Sequence, residues 1–447
     1  MSEAQLITNM LETIRHRGLL IGDTTVPGET KADDVFPGQG NAIQVSATRW
    51  LIAYATRGFR FIDNDLSILF QLRADSPDGQ VVKEGVLSRS VEGWAPLGDG
   101  RTFTKEHGHP ALFGVPKGAK IAGAVPAHAN CFAIKWRVIG IRPALEGERG
   151  PFVKEPATQG VEWMQVRLND REDDLEILHP PAPLRQAGCE SGEPFCRFSG
   201  GGTVQSMNQT WVSAVPLNAE CTEWADVNHF DGGRIAALKY RFDPALGQYA
   251  WIETGPLIGG GERGYFEAGL LRSEDSWIIA TRKLFTPHEN GVAWMRTRDL
   301  FGALPEPVCP PAPPSYSPIS AYTCADGAIR LFTGDPSISS APLGGRNPIR
   351  CWEIDPKTFE ATDQRAIFDT YAAGLPMREA CGPVVDMGRL VPHAGGRVQY
   401  FFHRVRPKAI NYPANTKVSV NAEEKACAGI YYAELVYSED QPASWQF

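Results

Sequence analysis

The sequence predicts an all-β protein: a β-propeller with six blades, or seven if the longest interval between repeats contains another. Turn residues (45 Gly, 35 Pro) and aromatic residues (21 Phe, 12 Tyr, 11 Trp) are spread along all 447 residues. Short runs of β-branched and aromatic residues between frequent turns are typical of many short strands. A chain of this length usually forms two or three domains, but radial repetition lets one domain reach it.

The recurring unit is a strand, a polar turn and a returning apolar strand. Its copies begin about 50 to 95 residues apart, which suits four-stranded blades of about 40–50 residues plus loops. The clearest copies are residues 41–56, 109–136, 204–216, 266–282, 319–333 and 382–403. A third strand is predicted at residues 65–73, 234–242, 347–354 and 430–436. Two stacked β-sandwiches are the alternative, which the uninterrupted succession of repeats disfavours.

The predicted domain organisation is an N-terminal segment, residues 1–30, packing on a single propeller domain, residues 31–447. Residues 4–18 are predicted to form one short helix. The N-terminus lacks the apolar region of a secretory signal, and no run approaches the ~20 apolar residues of a membrane span. We therefore expect a cytoplasmic protein, or a secreted one if a signal has been removed.

Charge and motifs exclude several function classes. The net charge of −8 gives no basic footprint for nucleic acid or membrane surfaces, so neither is an expected partner. The nine cysteines form no CxxC pair or Cys/His finger, and no phosphate loop or Gly-x-Ser-x-Gly elbow occurs. No cofactor is expected, with a divalent cation as the alternative, and the oligomeric state stays open.

Three histidines are candidates for acid–base chemistry. His107 and His109 flank Gly108 at the start of the second repeat, and His128 follows about one hairpin later. Because a hairpin returns to the same sheet edge, we expect His109 and His128 to lie close together. Histidine titrates near neutral pH and moves protons in catalysis. The alternatives are metal binding through neutral ring nitrogens and simple capping of a strand.

Three arginines occupy comparable positions, just after a strand, in three repeats: Arg57, Arg282 and Arg346. Equivalent points of different blades converge on a propeller axis, and a guanidinium pairs bidentately with a carboxylate. The three arginines therefore predict a binding site for an acidic sugar. The alternative is pairing of each arginine with a neighbouring carboxylate between blades.

Tyr265 and Glu267 open the fourth repeat, and Tyr316 precedes the fifth. Glu267 and Tyr316 are candidate catalytic residues, with the glutamate polarising a tyrosine or acting as a base. Tyr265 is a candidate substrate-binding residue.

Several segments resemble sialidase-like propellers. Phe36-Pro37-Gly38 followed by Tyr54-Ala55-Thr56-Arg57 resembles their opening blade. Phe266-Glu267 followed by Arg282 resembles their mid-chain glutamate and arginine, and Tyr316-Ser317-Pro318 followed by Arg346-Asn347-Pro348-Ile349 resembles the stretch with the last arginine. The resemblance covers most of the chain in pattern and implies an axial sugar-binding pocket.

The sequence departs from true sialidases at two places. It has no Ser-x-Asp-x-Gly-x-Thr-Trp box, and Phe36 stands where the first-blade arginine is expected, so both departures argue against sialic acid. His107-Gly108-His109 resembles instead the sialidase-shaped propellers that act on rhamnose–glucuronate linkages, as lyases or hydrolases. That group uses histidine with arginine and tyrosine.

The sequence thus predicts an enzyme that cleaves a terminal glycosidic linkage of an acidic, uronate-containing oligosaccharide. Two alternatives are a non-catalytic propeller that binds carbohydrate or protein, and a metal-dependent lactonase-like hydrolase. Glu267, Asn208 and Asp386 are the carboxylate and amide ligands that the lactonase-like alternative requires.

Overall fold

The computed structural model describes the chain in ranges separated by gaps. The described residues are 10–22, 35–58, 65–146, 148, 152–187, 207–209, 214–230, 232–260, 262–285, 289–311, 313, 317–324, 327–335, 346–376, 384–393, 395–407, 410–411, 416–417 and 420–444. They form six sheets in a ring, so the predicted all-β, six-bladed propeller is confirmed.

The first three blades follow in chain order after one strand that belongs to the last blade, β1 (Leu11–Ile21). Blade 1 contains β2 (Val35–Ser46), β3 (Arg49–Gly58), β4 (Asp65–Ala74) and β5 (Val81–Ser88). Blade 2 contains β6 (Val91–Trp94), β7 (Phe103–Val115), β8 (Cys131–Pro143), β9 (Phe152–Leu168) and β10 (Leu175–Pro183). Blade 3 contains β11 (Met207–Gln209), β12 (Val215–Pro216), β13 (Glu223–Phe230), β14 (Arg234–Asp243), β15 (Gln248–Thr254) and β16 (Ile258–Gly259).

The last three blades complete the ring. Blade 4 contains β17 (Arg263–Ser273), β18 (Ser276–Phe285) and β19 (Glu289–Thr297). Blade 5 contains β20 (Ser320–Thr323), β21 (Ile329–Gly334), β22 (Ile349–Ile354) and β23 (Ala361–Phe368). Blade 6 contains β24 (Val384–Leu390) and β25 (Gly396–Arg406), and after a connection with β26 (Ile410–Asn411), β27 (Thr416–Lys417) and α1 (Ala422–Ala426) it is completed by β28 (Gly429–Gln441) and β1. Within the part of the chain that is described, no helix is long and apolar enough to cross a membrane.

In blade 2 the short strand β6 comes before β7 and pairs with its free edge. Apart from β6, each blade starts at its innermost strand and continues outwards in antiparallel order, so the innermost strands run in the same direction along the axis. These strands are β2, β7, β11 with β12, β17, β20 and β24, and their positions match the predicted repeat starts. The long interval between residues 109 and 205 does not contain a seventh blade. It is filled by the long strands of blade 2, of which β9 spans 17 residues.

Apolar side chains are buried between blades, because each sheet packs a face on each neighbour. Six hydrophobic clusters lie at the six blade–blade boundaries, and the last of them joins blade 6 to blade 1. The strand β8 illustrates the consequence: residues 131–141 are all buried, so this strand is apolar on both faces. Charged residues inside such a strand are therefore exceptions that need a partner or a function.

The ring closes through β1, the outermost strand of blade 6, which pairs antiparallel with β28 from Leu11↔Tyr437 to Ile21↔Ile430. The helix predicted at residues 4–18 is therefore wrong for residues 11–18, which belong to this strand. Its side chains alternate between buried and exposed positions, and pairing with β28 outweighs the local helical preference of the sequence. Part of the segment that was predicted to pack on the propeller is thus one of its strands.

Candidate functional site

Three innermost strands carry the same irregularity opposite an arginine of the second strand. The last regular pairs before it are Gly108↔Arg137 in blade 2, Phe266↔Arg282 in blade 4 and Asp386↔Arg404 in blade 6. After each pair, two residues of the innermost strand face one residue of its neighbour, which is a β-bulge. Alternate blades therefore repeat one local structure, and bulges of this kind re-aim side chains beside active sites.

Two bulges place a non-glycine residue in the left-handed backbone region. His109 has φ 56° and Glu267 has φ 54°. This conformation costs roughly 1–2 kcal/mol for a residue with a β-carbon. Both residues were predicted from sequence as catalytic candidates, and the structure places them at corresponding positions of blades 2 and 4. Strained residues of this type are concentrated at functional sites.

Glu267 lies between arginines of two blades. Arg282 Nη1 is 3.0 Å from Glu267 Oε2, and the two side chains are only 11% and 12% exposed. Arg389, which follows the bulge of β24, is buried, and burial lowers its pKa to about 10 against the opposing effects of Tyr322 and Glu267. The structure thus brings Glu267 and Arg282 together, and Arg389 of blade 6 lies within electrostatic reach of Glu267.

His229 of β13 completes the group from blade 3. Its ring meets Phe266 edge to face at 4.6 Å, and within the described ranges neither ring nitrogen has a hydrogen-bond partner. Burial, with the positive charges of Arg282 and Arg137, lowers the pKa of His229 to about 3. This histidine is therefore uncharged at neutral pH and lies within electrostatic reach of arginines from blades 2 and 4.

These residues form what we call the axial polar cluster: Arg137, His229, Glu267, Arg282 and Arg389. Four blades contribute to it. Arg282 pairs with Glu267, while the positive charges of Arg137 and Arg389 act on His229 and on Glu267, respectively. Guanidinium groups collected in this way can bind the carboxylate of a ligand through their paired donors.

Arg346 has a different surrounding. Its Nη1 lies 2.5 Å from Asp386 Oδ2, and Arg404, which is 1% exposed, binds both oxygens of the same carboxylate at 2.8 and 2.9 Å. Arg346 therefore joins blade 5 to blade 6 through a carboxylate, which is the alternative considered for the predicted arginines.

His107 points away from the axial polar cluster. Its Nε2 is 3.0 Å from Ser88 Oγ and 4.0 Å from Glu162 Oε2, between blades 1 and 2. A Ser–His–acid relay needs the hydroxyl and the carboxylate on opposite ring nitrogens, whereas here both lie at Nε2.

The predicted proximity of His109 and His128 is wrong. The residues that return opposite the His109 bulge are Trp136 and Arg137, because the connection after β7 is long. His128 lies in that connection, beyond the far end of β7, with its ring 5.5 Å from Phe242 of blade 3. Burial lowers the pKa of His128.

Of the remaining predicted site residues, one is buried in the core, and two lie wholly or partly outside the described residues. Tyr265 is buried in the hydrophobic cluster between blades 3 and 4. Tyr316 lies outside the described residues. Arg57 belongs to β3 opposite Phe36, but its side chain is outside the described part of the structure.

Two of the three residues considered as metal ligands form ion pairs with arginines instead. Glu267 pairs with Arg282, and Asp386 pairs with Arg346 and Arg404. The side chain of Asn208 lies outside the described residues. Among the residues that are described, no group of three or more His, Cys, Asp or Glu side chains could hold a metal ion.

Sequence reasoning missed Arg137, His229 and Arg389. Arg137 and His229 lie in strands that are buried along almost their whole length, CFAIKWRVI and EWADVNHF, and Arg389 is buried in β24. Buried charged or polar residues in such strands are uncommon, so their presence there is the signal by which they were detectable.

The chain has a six-bladed β-propeller fold that is similar to the fold of sialidases. Structural comparison matches a mutant of Trypanosoma rangeli sialidase displaying trans-sialidase activity, with a TM-score of 0.55 and 10% identity over 96% of this chain. Trypanosoma rangeli sialidase in complex with sialic acid matches with a TM-score of 0.52 and 10% identity over 96% of this chain. The chain spans 58% of the length of these two sialidase chains.

A protein of unknown function from Dyadobacter fermentans matches along nearly its entire length. The TM-score is 0.54 at 10% identity, covering 96% of this chain and 99% of that one. No family model and no curated protein matches the sequence. At identities of this level the likeness establishes the fold.

Proposed function

We propose that this protein is a carbohydrate-active enzyme that cleaves a glycosidic linkage at an acidic, uronate-type sugar held in the axial polar cluster. The observation that carries the proposal is that Arg282 and Glu267 form an ion pair at a strained bulge, with Arg137 and Arg389 of two other blades within electrostatic reach of the same group. The similarity to sialidase folds supports a sugar-cleaving enzyme.

The arginines supply the recognition of the acid group. A guanidinium offers a planar pair of donors that matches a carboxylate, and burial strengthens this interaction because little water competes. Glu267 then holds Arg282 in a fixed orientation through the 3.0 Å contact. A neutral sugar offers no carboxylate to these donors, so we expect the site to prefer an acid.

His109 is the proposed proton-transfer residue, with Tyr316 as the second candidate. In a lyase, the base takes the proton at C5 of the uronate, the C4–O bond breaks, a C4=C5 double bond forms, and the leaving oxygen receives a proton. In a hydrolase, an acid protonates the leaving oxygen while water adds to the anomeric carbon and loses its proton to a base. Arginines around the carboxylate favour the lyase step in particular, because they stabilise charge that moves onto the carboxylate.

A non-catalytic carbohydrate-binding propeller is the second candidate. The observation that favours it is the engagement of Glu267 by Arg282, which leaves the one carboxylate of the cluster already paired. Such a protein would bind uronate-terminated oligosaccharides and return them unchanged.

The test is activity on rhamnosyl-glucuronate, other uronate-terminated and sialylated oligosaccharides. New ultraviolet absorbance from a 4,5-unsaturated uronate identifies a lyase, and new reducing ends without it identify a hydrolase. His109→Asn is the informative variant, because asparagine tolerates the left-handed backbone but does not transfer protons. We expect a loss of about 10²–10⁴-fold in kcat.

His128→Asn is the matched control, since His128 lies beyond the far end of blade 2. Equal activity of His109→Asn and the unsubstituted protein would remove His109 from the mechanism. Binding of uronate oligosaccharides without any product, in folded protein, would establish the binding propeller instead. Turnover of neutral sugars in preference to acidic ones would contradict the role of the arginines.

A further inference from the structure

The axis contains a concave feature beside the axial polar cluster, on the side towards which the innermost strands run. It has a volume of about 250 Å³, and we call it the axial cavity. Every innermost strand contributes to its wall with residues that follow the level of the bulges. One from each blade is Ile43, Phe113, Val215, Leu271, Tyr322 and Leu390.

The C-terminal segment, residues 441–444, lines one end of this cavity. Gln441 ends β28, and Pro442, Ala443 and Ser444 continue along the cavity wall. Ser444 is held by His393 through two contacts: its N–H donates to the carbonyl at 2.9 Å, and its hydroxyl accepts the His393 N–H at 3.0 Å. Ala443 is buried with the cluster between blades 2 and 3, so the segment crosses from blade 6 to the opposite side of the ring.

A thin layer separates the axial cavity from the axial polar cluster. The hydroxyl of Tyr322 accepts the Leu390 N–H at 2.9 Å, and both residues belong to the cavity wall. Arg389 is the next residue along β24 and belongs to the axial polar cluster. The cavity and the cluster are therefore lined by different residues, and the contents of the cavity do not need to share the chemistry of a sugar.

The lining of the cavity determines what it can hold. Most of the wall is aliphatic or aromatic, and its polar side chains are those of Arg272, Tyr322, Thr323, Gln399, Gln441 and Ser444. The guanidinium of Arg272 donates from Nε to the carbonyl of Glu274 at 3.3 Å. An apolar protein cavity of about 150 Å³ accepts benzene and excludes water, because water would lose hydrogen bonds there. A volume of 250 Å³ accommodates a larger ring system with one hydrogen-bonding group.

We infer that the axial cavity is a binding site for a small, uncharged, mostly apolar molecule of about the size of indole. The apolar body packs between the innermost strands, and a single polar group meets a glutamine side chain. This site is distinct from the proposed sugar site, and the inference does not depend on the proposed function.

Indole is the probe, added to the full chain and followed by calorimetry and thermal unfolding. We expect saturable binding with one site and a rise in Tm on the order of 2 °C at saturation. Ala443→Phe, which fills the cavity from the end that the C-terminal segment lines, is expected to abolish binding. Val125→Phe is the matched control, since it adds the same ring at a residue that is 55% exposed.

If Ala443→Phe does not fold, crystals of the unsubstituted protein soaked in indole or pressurised with xenon give the second test. Density for either probe between the six strands supports the site. Only water in the cavity, no saturable binding by folded protein, or indole binding that persists in folded Ala443→Phe each overturns the inference.

Discussion

At one end of the propeller axis the innermost strands bulge and carry charge, whereas at the other end the same strands are regular and apolar. The axial polar cluster contains Arg282 and Glu267 on the bulge of β17, while Leu270 and Leu271 of that strand line the axial cavity. Strained backbone marks the first end, and the C-terminal segment closes the second. Position along a strand, more than identity of the blade, therefore determines the chemistry that each residue meets.

The two ends of the axis contribute differently to the free energy of folding. Burying arginines costs free energy that only a partner or a ligand restores, whereas burying an aliphatic or aromatic side chain contributes roughly 1.5–3 kcal/mol. The stability of the charged end therefore depends more on ion pairs or a ligand than the stability of the apolar end does.

The largest effect is expected at a charge pair between blades 2 and 3. Lys135 and Asp226 are 0% and 1% exposed, and Lys135 Nζ donates to the Asp226 carboxylate and, at 3.0 Å, to the Tyr240 hydroxyl. Burial lowers the pKa of Lys135 and raises that of Asp226. Lys135→Met leaves the aspartate without its cation, so we expect a loss of about 3–5 kcal/mol in the free energy of unfolding by urea.

The double variant Lys135→Met/Asp226→Leu is the control, because it removes both charges. It should recover most of the lost stability. If Lys135→Met were as stable as the unsubstituted protein, the buried charge pair between blades 2 and 3 would not determine the stability of the ring.

Glu267→Gln tests the axial polar cluster itself. The substitution keeps the shape of the side chain but removes the one negative charge between Arg282 and Arg389. We expect a loss of about 2 kcal/mol in urea unfolding. Added uronate-type ligand should restore part of that loss by supplying a carboxylate, and added neutral sugar should not. Equal restoration by both sugars would contradict the charge argument.

A pH titration separates the two ends, since each has a buried histidine. Burial lowers the pKa of His393 to about 4 at the apolar end and that of His229 to about 3 at the polar end. Both histidines take up protons near pH 6.5 when unfolded. Because the unfolded chain then binds more protons, stability falls as the pH drops below 6.5, by up to ~1.4 kcal/mol per pH unit for each group.

His393→Asn should flatten this dependence between pH 6.5 and 4. Asparagine keeps an acceptor for the Gly395 N–H, which His393 Nδ1 accepts at 2.8 Å, but it does not titrate. His229→Asn should flatten it down to about pH 3. Urea unfolding at several pH values measures both slopes, and unchanged slopes would mean that neither histidine stays uncharged in the fold.

The smallest effect is expected for Ser444→Ala. The variant removes the side-chain oxygen that accepts the His393 N–H at 3.0 Å and keeps the backbone contact. We expect a loss of about 1 kcal/mol in urea unfolding and weaker indole binding, because the segment closes the axial cavity. A loss of stability with unchanged indole binding would separate the segment from the cavity.

The sequence was sufficient for the architecture because strand repeats are local patterns. The predicted starts at residues 41, 266 and 382 fall within or beside β2, β17 and β24. Pairing between segments that are distant in sequence was harder to predict. The strand β1 was predicted as a helix because its partner is more than 400 residues away in sequence.

The candidate site was predictable only in part. Glu267 and Arg282 were found because they share one hairpin, so their proximity follows from register alone. Arg389 and His229 reach the cluster from other blades, and their convergence depends on the closed ring. Whether an arginine such as Arg346 faces the axis or a carboxylate depends on the direction of its side chain, which the repeat pattern does not specify.

The pairing of β1 with β28 also has a consequence for synthesis. Residues 11–21 are synthesised before blades 1 to 5, whereas their partner strand at residues 429–441 is synthesised after them. Until then β1 has an unsatisfied edge of the kind that promotes association between chains. We therefore expect the nascent protein to depend on chaperones during translation, and its ring to close only after blade 6 has emerged.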